Sequence, residues 1–182
     1  MNDSQPKLVT VDPKLAYIIS QVEASGFSGA LRFEPSVYRE VMYALQTGCD
    51  GTLACNAAHA KHVSDNARVL VSTIAKINRC TDDTARVLYA TSFGLYQIMG
   101  YNLYSLGLSS PISNYLNGVQ SRTLQDGMFS KFLAGHGLAF TWDEMARDPD
   151  KLNYFALHYN GSVAYGDRMK AVAKEHYGEK LT

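Results

Sequence analysis

Over most of the chain the apolar residues recur at the spacing of a helix facing a core, which predicts a mainly α fold. Asp12-Pro13 reads as a helix start, with Asp as N-cap and Pro in the first turn, where its missing N–H leaves no bond unmade. Leu15, Ile18, Ile19 and Val22 form one apolar face, and this helix is expected to carry Glu23 and end near Ser25-Gly26. Gly29 to Glu34 is short, contains Leu31 and Phe33, and is expected to be a small extended or β segment. Pro35 starts a second helix through Val37, Val41, Met42 and Leu45, stopped at Gly48. Residues 48–63 lack periodicity and read as a loop; Ser64 caps a helix with Ala67, Leu70, Ile74 and Ile77 on one face.

Thr81 begins the next helix, with Ala85, Leu88 and Tyr89, and leads into the apolar run SFGLYQIMG at 92–100. Pro111 opens a short helix, and Ser121 another that carries Leu124, Met128, Phe129, Phe132 and Leu133 until Gly135-His136-Gly137 breaks it. Residues 142–145 and Lys151 to His158 read as helical, Tyr159-Asn160-Gly161 as a turn, and Asp167 to about His176 as a last helix. No internal repeat, low-complexity tract or linker interrupts this series. The expectation is a flexible N-terminus at 1–10 and a single domain over 11–182, with 178–182 fraying.

Composition changes the picture in two respects. Lys+Arg and Asp+Glu each count 17, so the formal net charge is zero, which argues against a nucleic-acid partner and leaves long-range attraction to an anionic surface modest. The 12 Tyr, 7 Phe and 1 Trp suit stacking on sugar rings and suit a core equally. Three cysteines, Cys49, Cys55 and Cys80, cannot all pair within one chain, so synthesis in a reducing compartment is the simpler reading. His59 and His62 lie near Cys55 without zinc-ligand spacing, and the five histidines show no HExxH pattern, so no metal and no cofactor is expected. The start, MNDSQPKLVTVDPK, lacks a basic-then-apolar signal, and no stretch has the length of a membrane span.

Three local features carry candidate chemistry. Val22-Glu23-Ala24-Ser25-Gly26 puts a carboxyl at the end of an apolar helix. Ser92-Phe93-Gly94-Leu95-Tyr96-Gln97-Ile98-Met99-Gly100 is an apolar run with glycines at its flanks and one amide. Tyr159-Asn160-Gly161 is the third. A carboxyl beside Ile18, Ile19 and Val22 is desolvated, and the partial negative charge at a helix C-terminus also favours its neutral form; both raise its pKa. That is what an acid donating a proton to a glycosidic oxygen near neutral pH requires. Taken alone, the same Glu could be a solvated helix-end residue.

The order of these motifs resembles the lysozyme superfamily, in particular the goose-type lysozymes and soluble lytic transglycosylases. Across most of the length the chain resembles the phage endolysin family of N-acetylmuramidases. The matching positions are Val22-Glu23, Phe33-Glu34, Ser92 to Gly100, Thr123 to Phe132 and Tyr159-Asn160-Gly161. Ala24 stands where that family usually has Ser, Leu124-Gln125 reverses its Gln-Leu order, and Pro35-Ser36 replaces the residues that follow Phe-Glu.

The resemblance implies a lysozyme-like domain that cuts the β-1,4 bond between N-acetylmuramic acid and N-acetylglucosamine, with Glu23 as general acid. Peptidoglycan glycan strands are the expected partner and a monomer the expected state. The enzyme would be made in the cytoplasm and reach the wall by release or injection. Glu34 is the first candidate for a second carboxylate, or else a structural acid of the helix beginning at Pro35. Asp82 and Asp83 read as first-turn helix acids, and Asp126 as a solvated one. Gln97 would point its amide to the sugar or brace the cleft; Ser92, Gly94, Tyr101, Tyr159 and Asn160 are the other expected substrate-binding residues. Tyr96 and Tyr101 could stack on sugars or belong to the core. Two alternatives remain: a lytic transglycosylase, whose substrate hydroxyl attacks in place of water, and a non-catalytic peptidoglycan-binding or virion module.

Overall fold

The computed structural model describes residues 11–47 and 67–178. The expected loop at 48–63, the stop at Gly48, the cap at Ser64, Cys49, Cys55, His59, His62 and, of the ends expected to fray, 1–10 and 179–182 lie outside these residues.

The first helix, α1 (Pro13–Ala24), starts as its sequence dictates: the Asp12 carboxylate accepts the Leu15 N–H at 2.7 Å and Pro13 occupies the first turn. It ends in a left-handed Ser25 (φ 49°), whose N–H returns to Gln21 O while Gly26 N–H reaches Ser20 O. Leu15, Ile18 and Ile19 are fully buried. Strand β1 (Leu31–Phe33) follows, then α2 (Pro35–Thr47), α3 (Ala67–Asn78) and α4 (Asp82–Tyr89). Asp82 and Asp83 lie in the first turn of α4 behind the N-cap Thr81, where the helix dipole favours acids.

The run at 92–100 departs from the expectation of a single extended segment near 29–34. It folds as β2 (Thr91–Phe93), a turn, β3 (Ile98–Met99), and the opening of α5 (Gly100–Ser105). The three strands form an antiparallel sheet in the order β1-β2-β3, with Arg32 opposite Ser92 and Ser92 opposite Met99. Strands of two and three residues are too short to show alternation, and β2 (Thr91, Ser92, Phe93) is buried at every position although two of its three residues are polar.

The rest is helical: α6 (Ile112–Asn117), α7 (Ser121–Gly135), α8 (Trp142–Arg147), α9 (Pro149–Asn160) and α10 (Ala164–Tyr177). Here the expected boundaries shift. Asp148 caps α9, so that helix begins before Lys151, and Tyr159-Asn160 are its last residues rather than a turn; only Gly161, at φ 79°, turns the chain. Helix α10 begins three residues ahead of Asp167, and Gly178 closes it in the left-handed region. Helices α1 and α9 both pack on α10, and α6 packs on α7. Trp142, Tyr89, Tyr96, Tyr115, Tyr165, Phe129 and Phe155 are fully buried, so most of the aromatic supply serves the core.

One buried amide on α7 ties α6, the β2–β3 turn and the segment between α1 and β1 together. Gln125, on α7 and fully buried, accepts the Leu95 N–H at 2.7 Å and donates to Tyr115 O at 3.0 Å and Ser28 O at 3.1 Å. Gly94, at φ 76°, makes room for it: a Cβ there would stand 2.5 Å from Gln125 Oε1. Gly94→Ala therefore combines a left-handed backbone with a side-chain clash, and is expected to cost about 2 kcal/mol, read from denaturant melts at constant m-value. A Cβ on Gly100 would meet the Leu88 carbonyl oxygen at 2.0 Å. Both glycines thus serve close approach within the protein.

Candidate active site

A cleft of about 460 Å³ runs between the sheet and the ends of the helices. Glu23, Glu34, Gln97, Tyr101, Tyr159 and Asn160 all line it. Three helices finish at this cleft: α1 just after Glu23, α7 just before His136, and α9 at Asn160.

Glu23 is half-buried. Burial pushes its carboxyl pKa above the ordinary range, and it is opposed by the neighbouring Tyr165 hydroxyl, the charges of Arg32 and Arg168, and the Asn160 amide. Tyr165 is fully buried, and its hydroxyl has no hydrogen bond of good geometry among the described residues. Its ring lies under the Arg168 guanidinium, 4.8 Å to the centroid, and Arg168 donates to Asn160 Oδ1 at 3.3 Å. Glu23 therefore sits against a layer built by the junction of α9 and α10.

Glu34 faces the cleft from the end of β1, where its own N–H donates to Ala90 O at 2.8 Å. Its carboxylate is gripped by Arg32 Nε at 2.6 Å. Strand alternation sends Arg32 and Glu34 to the cleft and leaves Leu31 and Phe33 on the outer face, 64% and 42% exposed.

Gln97 lines the cleft but spends its amide locally. Its Nε2 donates to Gly94 O at 2.9 Å, and its Oε1 accepts from Ser92 Oγ at the same distance. Ser92, 1% exposed, also donates to Arg32 O, while Gly94 N–H donates to Ala30 O at 2.7 Å. Ser92 and Gly94 lie beneath the cleft surface and hold the β2–β3 turn, in which Gln97 itself adopts φ 46°. Such a conformation is costly for a residue with a side chain, and these bonds enforce it.

Of the two tyrosines weighed as sugar platforms, Tyr96 belongs to the core. Its ring stacks on Phe129 at 4.0 Å and its hydroxyl donates to Asp126 Oδ1. Asp126, its side chain 42% exposed, is a solvent-reached acid that also partners Tyr96 and, at 3.0 Å, Arg122. Tyr101 lines the cleft and packs against Tyr89 at 5.1 Å; burial pushes its pKa up to about 12. Tyr159 stacks on Phe155 and donates to Tyr96 O at 2.7 Å, so one face of its ring and its hydroxyl are committed.

Sequence reasoning passes over Arg32, Tyr165 and Arg168, and reads His136 and His158 as structural or exposed residues without a place in the cleft. Alternation along 31–34 carried the signal for Arg32, and the spacing of Phe132 to His136 and Tyr154 to His158 marks ring pairs one helical turn apart. Nothing local points to Tyr165 or Arg168. Among the described residues no cluster of three or more His, Cys, Asp or Glu side chains could hold a metal ion, and no helix is long and apolar enough to cross a membrane.

Comparison with known proteins adds one relative. The chain is 32% identical over 165 residues to an endolysin of Enterobacteria phage PRD1, an alignment that spans 90% of this chain and 95% of that protein. No family profile matches the chain, and no solved structure matches it.

Proposed function

This chain belongs to the phage endolysins, and we propose that it degrades peptidoglycan as an N-acetylmuramidase, with Glu23 as the general acid. The observation that carries this reading is the setting of Glu23: a half-buried carboxyl with a raised pKa, opening into a cleft that also holds a second carboxyl group, Glu34. A protonated Glu23 donates to the oxygen bridging N-acetylmuramic acid and N-acetylglucosamine, the C1–O bond breaks, and water adds at C1 with loss of its proton. Glu34 is the candidate to take that proton or to face the cationic sugar. Gln97, Tyr101, Tyr159 and Asn160 supply the walls.

The 2.6 Å grip of Arg32 on Glu34 favours a second reading. A carboxylate oxygen that accepts from a guanidinium has a lone pair and its position committed to that partner, and a route with one working carboxyl, in which the sugar's own hydroxyl attacks, does not need it. Mass spectrometry of the products from purified sacculi separates the two. Reducing ends mark hydrolysis and 1,6-anhydro ends mark transglycosylation; with neither, both readings fail.

The Tyr165 hydroxyl offers a separate check on Glu23. It favours the charged carboxylate, so Tyr165→Phe is expected to raise the Glu23 pKa further. The alkaline limb of the pH–rate profile, where the acid loses its proton, then moves to higher pH. An unmoved limb with altered kcat would mean that the limb reports another group.

A further inference from the structure

The cleft lining contributed by the helix ends carries a device that appears twice. On α7, the His136 imidazole lies on the Phe132 ring one turn back, 4.2 Å between centroids and 28° between planes. On α9, His158 lies on Tyr154 in the same way, at 3.9 Å and 28°. In both, Nδ1 stands 2.8 Å from the backbone carbonyl of the residue four back. A carbonyl only accepts, so Nδ1 carries the proton in each ring and Nε2 is the free nitrogen. Neither Nε2 has a partner among the described residues, and both histidines line the cleft.

The two devices are joined through Tyr159, whose ring meets Phe132 edge-on at 5.7 Å and follows His158 in sequence. Exposed imidazoles on a surface ordinarily sample several rotamers. Here stacking and a backbone hydrogen bond fix plane and tautomer at two places in the lining of one cleft, which prepares two directed polar atoms.

We infer that His136 and His158 form a subsite for the peptide stem of the substrate, receiving its amide and carboxylate groups as the stem leaves the cleft. The inference rests on the muramidase reading. A glycan strand on the cleft floor carries its stem on the lactyl group of muramic acid, and the stem must cross one rim to reach solvent. On the β1 side, Arg32 Nε and Glu34 Oε1 are committed to each other at 2.6 Å, which holds that guanidinium against a carboxylate already present. The helix rim offers two uncommitted nitrogens and, beside His158, Leu157 at 49% exposure, a surface suited to alanyl methyls flanked by amides. A neutral Nε2 accepts an amide N–H, and a protonated one donates to a carboxylate.

The test compares glycan strands with intact stems against strands stripped of stems by an amidase, with cleavage products counted by mass spectrometry. The parent is expected to prefer intact strands in kcat/KM. In His136→Ala/His158→Ala that preference is expected to fall by about fivefold or more, through KM on intact strands. His136→Gln/His158→Gln, which keeps a polar atom near the Nε2 position, is expected to restore part of it. An equal change on both substrates, or none on either, overturns the subsite while leaving the muramidase reading standing. A parent that cleaves neither substrate removes that reading and the subsite together.

Discussion

Glu23→Gln is expected to abolish clearing of purified sacculi while the protein remains folded. A general acid contributes about 10²–10⁴ in rate, and no other carboxyl in the cleft shares the setting of Glu23, so kcat is expected to fall within that range. The same substitution has a second signature, in stability. Because the folded-state pKa of Glu23 lies above the unfolded value, the stabilisation from its protonated form is complete below the unfolded pKa and lost as pH rises through the folded one. Glutamine keeps the shape and does not titrate. The variant is therefore expected to melt higher than the parent at neutral pH, with the gap closing as pH falls into the ordinary carboxyl range. A gap that is constant with pH, or clearing equal to the parent's, would remove Glu23 from the role of acid.

The largest loss of stability is expected at Gln125. Gln125→Leu keeps much of the volume but strands the Leu95 N–H and the Tyr115 carbonyl in the interior and leaves the Ser28 carbonyl without its partner at the part-buried edge. Leaving buried backbone groups unpaired costs about 1–3 kcal/mol each when water cannot reach them, and with some relaxation the total is expected near 3–5 kcal/mol. For a chain of this size that is a drop in Tm of roughly 10 °C. Activity should fall as well, since Leu95 belongs to the turn that carries Gln97 into the cleft. A Tm within about 2 °C of the parent would mean that the three backbone groups find other partners.

How far the sequence revealed this site depends on the range of the interactions. Glu23 was legible because its helix announces itself locally, through Asp12-Pro13 at one end and Ser25-Gly26 at the other. The helical boundaries that moved, at Pro149 and Ala164, did so by a turn or less. Strands β2 and β3 were hidden because two or three residues carry no period. Gln125 looked like an ordinary amide on an amphipathic helix, since its partners are backbone groups from three distant places and backbone groups have no letter in a sequence. Ser92 and Gly94 stand where the motif places them, yet their bonds are to Gln97, Arg32 and Ala30, so the motif marks a turn as much as a binding surface.

The meeting of three helix ends at the cleft carries an electrostatic consequence. Each terminus leaves carbonyl oxygens without helical partners, the equivalent of about half a negative charge, worth about 0.3–1 kcal/mol to a nearby ion. On the proposed muramidase reading, a sugar ring that takes on positive character as the bridging bond stretches meets, at these three ends, partial charge of the sign that attracts it, while the first turns of α2 and α5 line the same cleft with the opposite sign. Folding has oriented those dipoles in advance, so on that reading the part of the wall built by α1, α7 and α9 can stabilise a transient cation without having to rearrange as the bond breaks.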